Sequence, residues 1–244
     1  MRNKDIPSDC MSIEKVPKVL ALIPDGNRRW ARRHSLDFVR GYGLGVKKFI
    51  DFSDWCKEYG VKNIVVWAFS TENFERPKAE RDALFNIYRR MARDKKIINR
   101  LHRNKTRFRI VGDRSLLPRD LANALHRIEI ETGAYKNRVI NMLIAYGGRD
   151  DILHATKRIV DAAVMKGMKD VNETLFRAQL LSRDVPDIDL VIRTSGEERL
   201  SGFMPWQAVY SELHFSKKLW PDFTKRDLEG ALEDYSNRQR RFGS

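Results

Sequence analysis

The chain has 244 residues, 42% of them apolar, and its 47 Lys and Arg outnumber 33 Asp and Glu to give a formal net charge of +14. That length suits one sizeable core, the charge favours anionic partners such as diphosphates, acidic lipid or nucleic acid, and the lack of any apolar run of spanning length excludes a membrane-embedded chain. Cys10 and Cys56 lie far apart without metal-ligand spacing, which points to reduced thiols in a cytoplasmic setting rather than a disulfide or zinc site. The first residues, with Asp5, Asp9 and Glu14 among them, show no apolar signal-peptide core.

Residues 1–16 are polar and aperiodic and read as a loose arm before a single domain at 17–244. Val19 to Ile23 is a short apolar run that stops at a carboxylate. Pro24, Asp25, Gly26 and Asn27 are turn formers, and Arg28 to Arg33 begin a helix. Gly41-Tyr-Gly-Leu-Gly45 introduces a helical pattern ending near Gly60, its glycines marking close backbone approach. Val61 to Phe69 is a second strand, rich in β-branched and aromatic residues, that runs into Ser70-Thr-Glu-Asn-Phe-Glu-Arg-Pro77. Lys78 to about Arg103 follows helical rhythm and predicts one long amphipathic helix.

Arg107 to Val111 is a third strand, 118–131 a helix, and Arg138 to Tyr146 a fourth strand ending in Gly147-Gly148-Arg149. Helices from Asp150 to about Met165 and from Val171 to Leu181 precede a fifth strand, Ile188 to Ile192. Tyr210 to Phe215 is a sixth strand and Lys225 to Arg241 a last helix. Strands alternating with helices predict an α/β fold whose mostly parallel sheet is covered on both faces.

In such a sheet the carboxyl ends of the strands share one edge, where ligands collect. Asp25 and Asn27 follow strand one, Ser70, Glu72, Asn73 and Arg76 follow strand two, and Arg193, Ser195 and Arg199 follow strand five. Arginines with serine hydroxyls suit phosphate oxygens, because the guanidinium fork takes two of them and the hydroxyl a third direction. Two arginine groups suggest two phosphate groups. Asp25 offers a hard oxygen ligand for Mg2+, Gly26 permits close backbone approach, and Arg28, Arg29, Arg32 and Arg33 neutralise anionic charge. Asp-Gly-Asn is also a common turn, so this loop by itself reads as structural before it reads as functional. The chain carries no Gly-x-x-x-x-Gly-Lys-[Ser/Thr], no Gly-x-Gly-x-x-Gly opening a helix after a strand, and no Gly-x-Ser-x-Gly elbow, which counts against nucleotide hydrolysis, dinucleotide binding and serine hydrolysis.

Asp25-Gly-Asn-Arg-Arg-Trp30, Phe69-Ser-Thr-Glu-Asn-Phe-Glu-Arg-Pro77, Asn141 to Arg149, Ile192-Arg-Thr-Ser-Gly-Glu-Glu-Arg-Leu-Ser201, and Trp206-Gln with Tyr210-Ser-Glu-Leu213 closely resemble the cis-prenyltransferase family, the undecaprenyl and dehydrodolichyl diphosphate synthases. The likeness spans about residues 18–243. It implies a single α/β domain with a six-stranded, mostly parallel sheet flanked by helices, an elongated hydrophobic tunnel, and a homodimer. It also implies addition of isopentenyl diphosphate to an allylic prenyl diphosphate with Mg2+ as cofactor. Under the resemblance, Asp25 is the essential aspartate, with Asn27 and Asn73 beside it in catalysis. Gly26, Arg28, Arg29, Trp30, Tyr42, Ser70, Glu72, Phe74 and Arg76 bind or position substrate, together with Glu80. Arg193, Arg199 and Ser201 form the isopentenyl diphosphate site, and Glu212 is a Mg2+-associated carboxylate. Arg241 and Gly243 belong to a tail that reaches the partner's active site, and Trp206, Ala208, Val209, Leu213 and Phe215 are expected at the dimer interface or in ordinary core.

Two positions depart from the family pattern. Phe38 stands where a diphosphate-binding Arg is usual and Tyr42 where a His is usual. Arg40 could supply the charge and the Tyr42 hydroxyl a hydrogen bond, but neither reproduces imidazole chemistry near neutral pH. An altered allylic site, with an unusual prenyl acceptor or a non-standard condensation, is therefore an alternative to ordinary chain extension. Pro24 and Arg28 look more like archaeal or eukaryotic members. The basic helix from Arg89 to Arg103 also raises the reading of a module for RNA or anionic membrane, and an accessory subunit of a two-chain enzyme is a further one. The retained Asp25, Arg193 and Arg199 argue for a self-sufficient enzyme that touches anionic membrane peripherally and binds no specific nucleic acid.

Overall fold

A computed structural model describes residues 13–167 and 170–238. The residues expected in the distal tail, Arg241 and Gly243, lie outside the described residues, as do Cys10 and most of the amino-terminal arm.

All five residues of β1 (Val19–Ile23) are buried. Side chains alternate across a strand, so Leu20 and Leu22 join one core while Val19, Ala21 and Ile23 join another. A strand apolar on both faces belongs inside a covered parallel sheet, and β1 does so, between β2 (Asn63–Ser70) and β5 (Leu190–Arg193). With β3 (Thr106–Val111), β4 (Arg138–Tyr146) and β6 (Glu212–Phe215) the sheet has the order β3-β4-β2-β1-β5-β6. Its five described pairings are parallel throughout. The chain moves outward from β1 through β2 to β3 and β4, then returns to the opposite side at β5. That reversal opens a crevice at the carboxyl ends of β1 and β5.

The larger core lies between the sheet and the inner faces of α2 (Phe38–Glu58), α3 (Lys78–Arg93), α5 (Arg119–Thr132) and α8 (Lys225–Asn237). Phe52 of α2, Leu84 of α3, Leu121 of α5 and Leu232 of α8 meet there, all essentially inaccessible. On the opposite face Val185, Phe203, Met204 and Ala208 cover the sheet, with α6 (Gly148–Lys166) and α7 (Glu173–Gln179) outside them.

Three local features differ from expectation. The helix expected to begin after the glycine segment instead starts at Phe38, where the Asp37 carboxylate accepts from the Arg40 N–H at 2.8 Å, so Gly41, Gly43 and Gly45 lie within α2. The predicted single helix over 78–103 is two: Asp94 ends α3 and caps α4 (Lys95–Arg103) by accepting from the Lys96 N–H at 2.8 Å. The β2–β4 ladder also shifts register between Trp67 and Ser70. Such an irregularity re-aims side chains at a strand end, and here it falls where β2 meets the crevice.

Candidate active site

The crevice is a cleft of about 620 Å3 walled by the segments after β1, β2 and β5. Its tightest constraint is the turn into α1 (Asn27–Arg33). Gly26 has φ +101°, and a Cβ there would lie 2.8 Å from Leu219 Cδ2 and 3.0 Å from Ser195 Cβ. Only glycine fits. Behind it α1 lies almost against α2: a Cβ on Gly41 would come within 2.6 Å of the Asn27 carbonyl oxygen, and one on Gly45 would collide with Asn27 Oδ1. Trp220 then donates from Nε1 to the Gly45 carbonyl at 2.9 Å. The glycines after residue 40 thus hold the Asp25 loop in place by letting a helix approach it.

Asp25 is engaged on both oxygens. Oδ1 accepts from the Gly26 N–H at 2.6 Å and Oδ2 from Arg193 Nη2 at 2.9 Å. Arg193 is 5% exposed and also donates from Nη1 to Ser201 Oγ at 2.9 Å and to the Arg199 carbonyl. One buried guanidinium therefore joins the loop after β1 to the loop after β5. Arg29 adds a second link, donating to Ser195 Oγ at 2.5 Å and pairing with Glu197 at 3.1 Å. Glu197 pairs in turn with Arg199 at 2.5 Å. Ser195 and Ser201 both have positive φ, 84° and 52°, conformations that non-glycine residues keep only where surroundings over-determine them.

On the β2 side, Ser70 and Asn73 bond each other reciprocally, the Ser70 N–H donating to Asn73 Oδ1 at 3.1 Å, which fixes the turn at Thr71–Glu75. Glu80 is 7% exposed and lies 3.1 Å from Arg76 and 3.7 Å from Arg28. The same Arg76 nitrogen donates to the Tyr42 hydroxyl at 2.8 Å. Burial raises the Tyr42 phenol above its ordinary range despite the opposing pull of Arg76, so Tyr42 stays neutral at physiological pH.

The cleft lining collects Asp25, Gly26, Asn27, Arg28, Arg29, Tyr42, Ser70, Glu72, Asn73, Arg76, Arg193 and Ser201, with Arg32. Five arginines against the carboxylates of Asp25 and Glu72 make it cationic. Other expected residues sit elsewhere. Trp30 donates to Asp222 at 2.6 Å and stacks on His34. Phe74 packs edge-on to Phe69, with ring centroids 5.0 Å apart. Arg199 points outward to Glu197, contributing its carbonyl to Arg193. Glu212 opens β6 opposite Leu190, at the amino edge of the sheet, and pairs with Arg238 at 3.1 Å. Three residues of strand rise and two strand spacings separate it from the level of Ile23, about 14 Å, and Asp25 lies beyond that. Glu197 was not among the sequence candidates. Its signal is a pair of carboxylates, Glu197 and Glu198, placed between Arg193 and Arg199 directly after β5.

Asp25 is a single carboxylate, and among the described residues no group of three His, Cys, Asp or Glu could hold a metal ion. Mg2+ is commonly held by one or two carboxylates together with substrate phosphate oxygens. This donor set fits an ion shared with a diphosphate rather than a cage made by protein alone.

Beneath the cleft the space turns apolar. A cavity of about 100 Å3 shares Pro24, Asn27, Tyr42, Trp67 and Ala68 with the cleft. A deeper one of about 70 Å3 shares Val46, Phe49, Met91, Phe108 and Ile140 with the first and reaches Leu101 and Thr106. In place of the expected elongated tunnel, the described residues form two small apolar cavities that share a wall.

A parallel sheet whose switch-point crevice gathers five arginines, hydroxyls and one shared aspartate above an apolar cavity defines an enzyme class that handles diphosphates carrying apolar chains. A family model described as "Putative undecaprenyl diphosphate synthase" matches residues 23–243. The chain is 42% identical to an isoprenyl transferase of Aquifex pyrophilus over 229 residues, 94% of this chain and 96% of that one. It is also 42% identical to dehydrodolichyl diphosphate synthase 1 of Arabidopsis thaliana, across 98% of this chain and 80% of the other. Among solved structures, lavandulyl diphosphate synthase of Lavandula x intermedia with dimethylallyl diphosphate superposes with a TM-score of 0.89 at 34% identity, covering 94% of this chain and 99% of that one. The chain belongs to the cis-prenyltransferase family and is a transferase of prenyl groups.

Proposed function

We propose that this cleft condenses an allylic prenyl diphosphate with isopentenyl diphosphate in a Mg2+-dependent reaction, forming a Z-configured prenyl diphosphate and releasing diphosphate. The observation that carries this reading is the Arg193 fork, which holds Asp25 with one nitrogen and Ser201 with the other. In this reading it spaces two anion subsites, one at Gly26, Arg28 and Arg29 for the allylic diphosphate and one at Arg193 and Ser201 for isopentenyl diphosphate, with the Arg199 side chain turning in from Glu197 when that diphosphate binds.

In this reading the allylic C–O bond breaks with its electron pair leaving on diphosphate, and Arg28 and Arg29 neutralise that charge. The double bond of isopentenyl diphosphate then attacks the allylic carbon, a C–C bond forms, and a proton is lost from the former isopentenyl unit. Mg2+, when bound by Asp25 and phosphate oxygens, supplies further charge stabilisation. Asn27 and Asn73 hold the loops that carry these groups, and Arg76 with Glu80 fixes the segment that roofs the chain. The apolar cavities receive the prenyl tail. No described helix is long and apolar enough to cross a membrane, so membrane contact in this reading is peripheral.

The enzyme is a homodimer in this proposal. β6 is the sheet edge, and Val209 and Tyr210 just before it are 68% and 63% exposed. The separation of Glu212 from Asp25 supports the same arrangement, because a metal role for Glu212 then falls on a second copy's cleft, as does the Arg241 and Gly243 tail. A second reading, an altered allylic site with a different acceptor, is favoured by Tyr42, whose hydroxyl occupies one Arg76 donor.

The test offers labelled isopentenyl diphosphate and Mg2+ with dimethylallyl, geranyl, farnesyl and geranylgeranyl diphosphates, and products are sized by chromatography and mass. Mg2+-dependent growth by five-carbon units, lost in Asp25→Ala, is expected. Products formed only when the acceptor is something other than isopentenyl diphosphate would establish the second reading instead, and no turnover with any pair would overturn both.

A further inference from the structure

The apolar space beneath the cleft abuts a second, outer groove through a shared wall of side chains. The deeper cavity shares Val46, Ile50, Met91 and Ile97 with a groove of about 540 Å3 on the outer surface between α2 and α3. The side chains that wall the enclosed space therefore also floor the surface groove. Leu36, Val39, Leu44 and Ile87 extend its apolar lining, and Leu44 is 38% exposed. The two inner cavities together hold about the volume of six waters, which is little for a chain built from several five-carbon units, whereas the outer groove, at about 540 Å3, is larger than both together.

The rim of this groove is basic. Arg40 and Lys47 of α2 and Arg90 of α3 line it, and Arg93, Lys95 and Lys96 continue an exposed cationic edge at the α3–α4 junction. Two of the carboxylates near this groove, Asp37 and Asp94, are committed locally. Asp37 lies 3.8 Å from Arg40 and caps α2, and Asp94 caps α4. An apolar groove framed by cations suits an interface of acyl chains beneath anionic headgroups.

We propose that the α2–α3 groove is the face that docks on an anionic bilayer and the side through which the prenyl chain passes to it. This rests on the prenyl-transfer reading, since it assigns the groove to that reaction's product. The charge complementarity fixes the partner as an anionic lipid surface, and the shared lining residues join that surface to the catalytic cleft.

The full-length chain is mixed with vesicles of phosphatidylcholine alone or with phosphatidylglycerol, and co-sedimentation is measured. In parallel, an environment-sensitive fluorophore is placed at Leu44→Cys, with Cys10→Ser so that the other remaining thiol is the buried Cys56. Salt-sensitive binding to the anionic vesicles alone is expected, with a blue shift of the label. Lys47→Glu with Arg90→Glu should weaken that binding by about 30-fold or more, while Lys62→Glu with Lys136→Glu, at the amino edge of the sheet, should not. Equal loss in both pairs, equal binding to neutral vesicles, an unshifted label on bound protein, or displacement by soluble polyglutamate at comparable affinity would each overturn the proposal. Condensation of a short allylic substrate without vesicles is read on the same samples. Normal condensation without vesicle binding defeats only the docking surface, and absent condensation with every pair defeats the function reading beneath it.

Discussion

Arg193 donates to Asp25 through Nη2 and to Ser201 through Nη1, so one buried side chain spans both halves of the cleft. Arginine can do this because its donors form a rigid planar fork, whereas a lysine ammonium is a point charge on a flexible stem. Arg193→Lys should keep the charge and lose at least one charged hydrogen bond, worth about 1.5–3 kcal/mol. Steady-state kinetics should show kcat/KM reduced by about 10- to 150-fold, with the circular dichroism spectrum retained. Unchanged kinetics would show that the fork does not organise the site.

The metal follows from the same geometry. With Asp25 as the cleft's sole aspartate and both its oxygens already engaged, free protein should bind Mg2+ weakly, and diphosphate should create the site. Calorimetry with Mg2+ alone should give no binding below the millimolar range, and addition of inorganic diphosphate should tighten it by about tenfold or more. Chelation should abolish turnover without shifting the thermal unfolding midpoint. Tight Mg2+ binding without diphosphate would overturn this prediction.

Tyr42 gives a pH prediction with a definite sign. Burial raises its pKa above the ordinary phenol value, so the hydroxyl stays protonated well past neutrality and contributes no inflection to the rate between pH 6 and about 9. Tyr42→His places an imidazole in the same buried position, where burial first and then Arg76 and Arg28 disfavour its charged form, against the opposing pull of Glu80, and lower its pKa below about 6.5. The variant should gain a new titration on the acid side of the kcat/KM profile. Tyr42→Phe should gain none, and an identical profile in all three proteins would remove Tyr42 from the substrate's surroundings.

Gly148 joins two of the loops. Its N–H donates to the Gly202 carbonyl at 3.0 Å, and a Cβ there would collide with that carbonyl and with the Pro205 ring. Backbone and a proline ring cannot swing aside as a flexible side chain can. Gly148→Ala should therefore cost roughly 1–3 kcal/mol by overpacking in urea unfolding. It should also raise KM for isopentenyl diphosphate more than for the allylic substrate, because the displaced loop carries Ser201. A stability loss with both KM values unchanged would confine Gly148 to a structural role.

Much of this was legible in advance from particular residues. Val19 to Ile23 read as a buried strand because all five side chains are apolar, and the carboxylate and arginines that follow marked its ligand end. The helix break at Asp94 went unread although its signal was present: an N-cap residue type sits ahead of Ile97 and Ile98, inside an otherwise continuous rhythm. The glycines at 41 and 45 mark close-approach positions in the sequence, but their partner Asn27 is set by the fold, since α1 and α2 meet through the intervening chain reversal. Trp30 and Phe74 lie inside well-matched motifs, yet their rings pack away from the cleft against His34 and Phe69. Motif membership marks a segment and leaves side-chain direction to the backbone.

By itself, the sequence determined the alternation of strands and helices, the covered parallel sheet and the cationic character of the cleft, because periodicity, turn residues and charge act locally and survive in one dimension. Only the tertiary structure decided that Arg193 grips Asp25, that Tyr42 meets Arg76 beside a buried Glu80, that Glu212 lies at the wrong edge of the sheet to share a cleft with Asp25, and that α2 and α3 leave a groove between them. Each of these depends on strand register, crossover direction and helix spacing. Those quantities are set by contacts between residues far apart in the chain, where each local pattern admits several partners and packing selects one.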